Sequence, residues 1–162
     1  MIYGPGDLFG EMSLLDQLPR SATAVAIEDS VLWVMSGQDF ERHMRNSHQL
    51  ALNLMLTLSA HLREANESVL SLASLDVTRR IAKRLLALAI RQGESLPDGR
   101  VRIGSRLTQG DLASLIGASR ESTNRALRAL QKRGLIDIQD GYLVLLKPDE
   151  LSGLIGTDET WW

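Results

Sequence analysis

Apolar residues at Ala51, Met55, Leu58, Leu62, Ala65, Val69 and Leu72 follow one another at intervals of 4, 3, 4, 3, 4 and 3 residues. No Gly or Pro interrupts the stretch between Ser47 and Ser74. Such a seven-residue period predicts one long helix carrying a single apolar seam. Ser47 is placed to cap its start. A helix of roughly 28 residues is ~42 Å long at 1.5 Å per residue, which outruns the small region before it. The seam can pack against the chain's own preceding sheet. The more economical reading pairs it with the same helix of a second subunit in a parallel two-stranded coil.

Charge separates the chain into unlike parts. The net charge of −2 hides 4 basic and 9 acidic side chains in residues 1–75, against 14 basic and 7 acidic in residues 76–147. The middle, at +7, can face a polyanion, and the tail 148–162 is −4. With 44% hydrophobic residues the chain holds a real core and is not a disordered polyanion or polycation. The longest apolar run, Leu85 to Ile90, is far short of a membrane span. No basic-then-apolar signal peptide opens the sequence. Cysteine is absent, which excludes disulfides, thiolate metal sites, iron–sulfur clusters and a cysteine nucleophile within these residues. It fits a reducing cytoplasm.

Residues 1–35 read as β structure and turns. Gly4-Pro5-Gly6-Asp7 signals a turn, and Thr23–Ile27 with Val31–Met35 suggests a hairpin. Ser36, with Asp39 three residues on, caps a short helix to about Arg45. Asp76 caps the next helix, Val77 to about Gln92, ending at Gly93. Glu94–Gly99 reads as a connection and Val101–Ile103 as a brief strand. A domain boundary falls near residue 75.

The most informative chemistry lies beyond residue 107. Thr108 caps a helix over Gln109–Ile116 with Asp111 as the third-position acid. Gly117-Ala118 is a tight turn, and Ser119 caps a second helix running to about Arg133. Leu112, Ala113, Ile116, Ala126, Leu127 and Leu130 form the core between the two. Arg120, Glu121, Asn124, Arg125 and Arg128 make a polar stripe opposite that core. An arginine fork matches the O6/N7 edge of guanine, and a glutamate accepts from the N4 amine of cytosine. Thr108 and the helix-start amides suit phosphate, and Gln109 and Ser119 complete the candidate DNA-binding set. Leu135–Ile138 and Tyr142–Leu146 flank Gln139-Asp140-Gly141 as a hairpin. Helix, turn, helix and hairpin is a winged helix that binds double-stranded DNA. A basic stripe alone is more often a solvated face, but here caps, turn and wing agree.

Near the start, Gly10 lets backbone approach a ligand closely. Glu11 accepts from a hydroxyl such as a ribose 2′-OH, and Arg20 with Ser21 donates to a phosphate. On composition alone a surface ion pair between Glu11 and Arg20 is the better explanation of these residues.

Five stretches, in order, resemble the cyclic-AMP receptor protein/fumarate–nitrate regulator (CRP/FNR) family of bacterial transcription factors. They are Phe9-Gly10-Glu11-Met12; Pro19-Arg20-Ser21-Ala22; Leu75-Asp76-Val77-Thr78-Arg79-Arg80-Ile81-Ala82; Leu107-Thr108-Gln109 to Asp111-Leu112-Ala113; and Gly117-Ala118-Ser119-Arg120-Glu121-Ser122 to Arg125. The resemblance implies an α+β fold: the C-terminal part of a cyclic-nucleotide-binding β jelly roll (1–46), a dimerisation helix (47–75), a winged helix-turn-helix domain (76–150) and a tail (151–162). It implies that Gly10 and Glu11 hold a ribose, and Arg20 and Ser21 a cyclic phosphate. The effector would be cyclic AMP, with cyclic GMP possible, and no metal. The long helix would be a homodimer interface through the seam residues. Arg120, Glu121 and Arg125 match the base-reading side chains, implying a palindrome with TGTGA-like half-sites. The loop Glu94–Gly104 is where relatives touch RNA polymerase.

The chain departs from the pattern at the purine-contacting Thr-Ser pair, which is Ala65-Asn66 here. Ala65 falls on the seam, and Asn66 is left to bond a purine edge. The family's first half of the roll is expected before residue 1. Two other functions compete: a regulator of the same fold sensing another signal or none, and an enzyme acting on a nucleotide through Glu11 and His61. The enzyme reading lacks a nucleophile–base pair, metal-ligand spacing or phosphate loop. His43, His48 and His61 sit on helical stretches, where a polar face explains them. The sequence assigns no role to Trp161-Trp162.

Overall fold

In the computed structural model, which describes residues 2–156, side-chain caps set where the helices begin. The backbone N–H of Asp39 donates to Ser36 Oγ (3.1 Å) at the head of a helix over Gly37–Asn46. Leu50 N–H donates to Ser47 Oγ (3.2 Å) at the head of the long helix, His48–Ser74. Arg79 N–H donates to Asp76 Oδ1 (2.9 Å) before Val77–Gln92. Numbered in chain order after a single helical turn at Met12–Leu15 (α1), these three are α2, α3 and α4. The described residues divide into two compact units, one ending at Glu67 and one beginning at Ser68.

In the first unit α3 covers one face and leaves another bare. Leu54 is buried, whereas Met55 and Leu62 on the seam are more than half exposed, as is Val69 on the stretch of α3 that belongs to the second unit. Ala51 and Leu58 are half-buried, and Ala65 is exposed. The hairpin expected at 23–35 is not formed. Residues 22–36 make no strand, and Val31, Trp33 and Val34 are almost fully exposed. β-favouring side chains supply no ladder by themselves. A two-stranded hairpin with no third strand or helix under it is marginal in water.

The second unit carries the larger core. Its helices are α4, α5 (Gln109–Ile116), α6 (Arg120–Lys132) and α7 (Pro148–Gly153). Its strands are β1 (Gly93–Ser95), β2 (Val101–Ile103), β3 (Ile136–Gln139) and β4 (Tyr142–Leu145), in the sheet order β1-β2-β4-β3, antiparallel throughout. Ile81, Leu85, Ile103, Leu112, Leu130, Leu135, Ile136, Val144, Leu145 and Leu151 are fully buried. They come from every layer of the unit, so this is one core. The β3–β4 wing turns on Asp140 and Gly141, both at positive φ (52° and 82°), with Gln139 paired to Tyr142. That is the backbone an Asp-Gly two-residue hairpin adopts.

Two elements differ from the sequence expectation. Gly93–Ser95, read as a helix end at Gly93 followed by the connection from Glu94, pairs with β2 as an edge strand across a 3₁₀ turn at Pro97–Gly99. Residues 148–153, read as the end of the domain and start of a tail, form α7 with Leu151 fully buried. Trp161-Trp162 lies outside the described residues.

Candidate functional site

The recognition face is built by two caps and one left-handed glycine. Thr108 Oγ1 accepts from Asp111 N–H (3.1 Å), while Asp111 Oδ2 accepts from Thr108 N–H (2.8 Å) and from the Thr108 hydroxyl (2.6 Å). The hydroxyl bond, then the N–H bond, hold the Asp111 carboxyl below the ordinary aspartate range. This reciprocal box satisfies two donors at the start of α5. Gly117 ends α5 at φ 60°, ψ 47°, which an L side chain adopts only at a cost. Ser119 Oγ then accepts from Ser122 N–H (3.2 Å) to start α6. Arg80 donates to the carbonyl oxygens of Ile116 (2.9 Å) and Gly117 (3.4 Å), tying α4 to the turn.

These constraints fix which side of α6 faces water. Thr123, Ala126, Leu127 and Leu130 are buried; Ser119, Arg120, Glu121, Arg125 and Arg128 are exposed, and Asn124 is half-buried. Thr108 and Gln109 are exposed at the start of α5. The structure therefore gathers Arg120, Glu121, Arg125 and Arg128 on one solvent-facing stripe. It withdraws Asn124, whose Oδ1 is buried without a hydrogen-bond partner.

Beside the turn of the wing, Arg102 and Arg106 each place a guanidinium 5.0 Å from the centroid of the Tyr142 ring. Arg102 also donates to Glu94 Oε2 (2.5 Å), a bond that raises the arginine above its ordinary value, reinforced by the Glu94 charge. Two cations beside one ring extend the basic surface. Sequence reasoning missed them because Tyr142 lies far along the chain from Arg102 and Arg106 and meets them through the β2–β4 pairing.

In the first unit, Gly10 stands at φ 81° and Arg20 Nη1 donates to its carbonyl oxygen. A Cβ on Gly10 would stand 2.7 Å from that nitrogen, the movable end of an exposed side chain, so it is the φ of 81° that favours glycine here. Glu11 is 5% exposed, and its Oε1 lies 3.6 Å from His61 Nδ1 on α3. Tyr3 and His61 meet edge to face at 6.1 Å. The Ser21 hydroxyl is directed at the Met12 sulfur (3.8 Å). Gly10, Glu11, Arg20 and Ser21 thus converge around α1. Glu11 and Arg20 are not an ion pair: Arg20 bonds to backbone and Glu11 faces His61. Asn66 is exposed farther along α3. A buried carboxylate beside a glycine that a guanidinium approaches suits a ligand with both hydroxyl and anionic groups. Among the described residues no three His, Asp or Glu side chains cluster as a metal site. No helix among them is long and apolar enough to cross a membrane.

Comparison with known proteins decides the family. Residues 79–154 match the Crp-like helix-turn-helix domain, and residues 1–47 match the cyclic nucleotide-binding domain. The chain belongs to the CRP/FNR family. A CRP-like cAMP-activated global transcriptional regulator of Mycobacterium tuberculosis is 36% identical over 149 residues, covering 92% of this chain and 66% of that protein. A cyclic AMP receptor protein of Thermus thermophilus is 39% identical over 140 residues, covering 86% of this chain and 61% of that one. The chain thus spans about two thirds of the length of these CRP/FNR relatives. A solved CRP/FNR-family transcriptional regulator, also of Thermus thermophilus, is 27% identical with a TM-score of 0.60, over 67% of this chain and 55% of that one. The Mycobacterium tuberculosis protein and the solved structure are described as transcriptional regulators and the other as a cyclic AMP receptor protein, none as an enzyme.

Proposed function

We propose that this chain is the dimerising and DNA-reading part of a cyclic-nucleotide-gated transcription regulator. The observation that carries the proposal is the outward stripe of Arg120, Glu121, Arg125 and Arg128 on a helix whose opposite side is locked into the core. Such a helix enters a major groove with its N-terminal half against base edges. Thr108, Gln109 and Ser119 are exposed where phosphates would pass. Two copies paired through the α3 seam would present two reading helices to a palindrome with TGTGA-like half-sites.

Gly10 and Glu11 would hold the ribose of cyclic AMP, Arg20 and Ser21 its phosphate, and Asn66 an edge of the purine. The effector contributes a hydroxyl and an anion that tie the cassette together, shifting the population toward the DNA-competent pair. The Glu94–Gly104 loop would meet RNA polymerase, and the protein would work in the cytoplasm. A second reading, a regulator answering another signal or none, is favoured by Ala65, whose side chain has no polar atom for a base.

Titrating cyclic AMP and cyclic GMP while following binding to a palindromic duplex tests both readings. Tighter operator binding with cyclic AMP supports gating. Unchanged operator affinity and thermal stability with both nucleotides overturn it and leave the second reading. Arg120→Ala and Arg125→Ala should each cost about 1–3 kcal/mol on the operator and relax one half-site position. Equal weakening on random DNA would make them phosphate contacts.

A further inference from the structure

The Arg120 side chain lies back along the start of α5. A Cβ built on Gly110, the second residue of that helix, would stand 3.2 Å from Arg120 Nε, 3.2 Å from Nη2 and 3.4 Å from Cζ. The guanidinium therefore rests in a notch that exists because residue 110 has no side chain. Gly110 is not among the residues at positive φ, so its own backbone does not require glycine. A cation at a helix N-terminus meets the positive end of the helix dipole. The Asp111 carboxylate, next in the chain and held ionised by Thr108, offsets that repulsion: its charge and that of Arg120 favour each other.

We propose that Gly110 is a specificity-determining position, whose missing side chain lets the Arg120 guanidinium lie against α5 and holds it ready for one base edge. An exposed arginine ordinarily samples many rotamers, and ordering it on DNA costs free energy that a prepared geometry reduces. A methyl group at residue 110 requires the fork to give by a few tenths of an ångström. A bidentate contact tolerates that poorly. Gly110 touches no base itself; it acts through Arg120. The inference rests on the reading of α6 as the base-reading helix.

Gly110→Ala separates this role from a structural one, because alanine in a helix is more favourable than glycine. With the full chain and a fixed concentration of cyclic AMP, a scan of single base-pair changes across the half-site is measured for the parent, Gly110→Ala, Arg120→Ala and the double variant. Gly110→Ala is expected to keep or raise the thermal midpoint. It should lose about tenfold of the discrimination at the position that Arg120→Ala also relaxes, with nothing further lost in the double variant. Unchanged discrimination in Gly110→Ala, while Arg120→Ala relaxes one position, overturns the notch and leaves the DNA reading intact. Equal losses from Gly110→Ala with and without Arg120 also overturn it, as a general distortion. Arg120→Ala without effect at any position overturns both.

Discussion

Leu72 closes on the turn between α5 and α6: a methyl placed on Gly117 would stand 3.0 Å from Leu72 Cδ2. The end of the long helix therefore touches the one residue that ends α5 in the left-handed region. Gly117→Ala meets two obstacles, the backbone at φ 60° and the Leu72 methyl. Leu72 is half exposed and can turn away, so the backbone dominates. The expected loss is about 1–2 kcal/mol, read from the urea midpoint. The same loss should appear in a Leu72→Ala background. A loss that vanishes there would assign the cost to the side-chain contact instead.

The Thr108–Asp111 box makes part of the stability depend on pH. Folding favours the Asp111 carboxylate, chiefly through the Thr108 hydroxyl. Its contribution is therefore fully present above the unfolded aspartate value, about 3.9, and is lost as pH falls through the lower folded value. Thr108→Ala should cost about 1 kcal/mol at neutral pH, with the difference from the parent shrinking below about pH 4. Denaturation curves of both proteins between pH 7 and acid check this. A constant difference across that range would contradict it.

What the sequence made legible was local. Ser36, Asp76, Thr108 and Ser119 accept from backbone three residues away, so the caps and the helices α2, α4, α5 and α6 could be placed from the chain alone. Asp140-Gly141 fixed the wing in the same way. Elements that depend on distant partners were not legible. Gly93-Glu94-Ser95 has poor β-propensity and is a strand because β2 pairs with it. Thr23–Met35 has good propensity and finds no partner strand. At the two sites the residue types were readable, but Arg20 bonding Gly10, Glu11 facing His61 and Arg120 lying over Gly110 all required the fold.

The cassette reading makes Arg20 the anion-binding group. Arg20→Leu removes an exposed guanidinium bonded to a carbonyl oxygen, so the fold should lose little stability. Charge-assisted bonds to a phosphate contribute about 1.5–3 kcal/mol. Calorimetric titration with cyclic AMP should show at least a tenfold weaker affinity for the variant, as about 1.4 kcal/mol is a factor of ten. Undiminished affinity would remove Arg20 from the site.

The seam on α3 leaves Met55, Leu62 and Val69 more than half exposed in the single chain. Burying a leucine side chain fully contributes about 1.5–3 kcal/mol, and in a two-fold pair every seam residue counts twice. Leu62 lies on that bare face, 63% exposed, so Leu62→Glu should leave the core of each unit unchanged. Across a parallel two-fold seam the two introduced carboxylates would face each other, adding repulsion to the lost apolar contact. Sedimentation equilibrium should find a dimer for the parent and a monomer for the variant at the same micromolar concentration, with matching circular dichroism. DNA binding should fall with the dimer, because one reading helix holds only half of a palindrome. A monomeric parent, or a variant that still sediments as a dimer, would move the interface away from this seam.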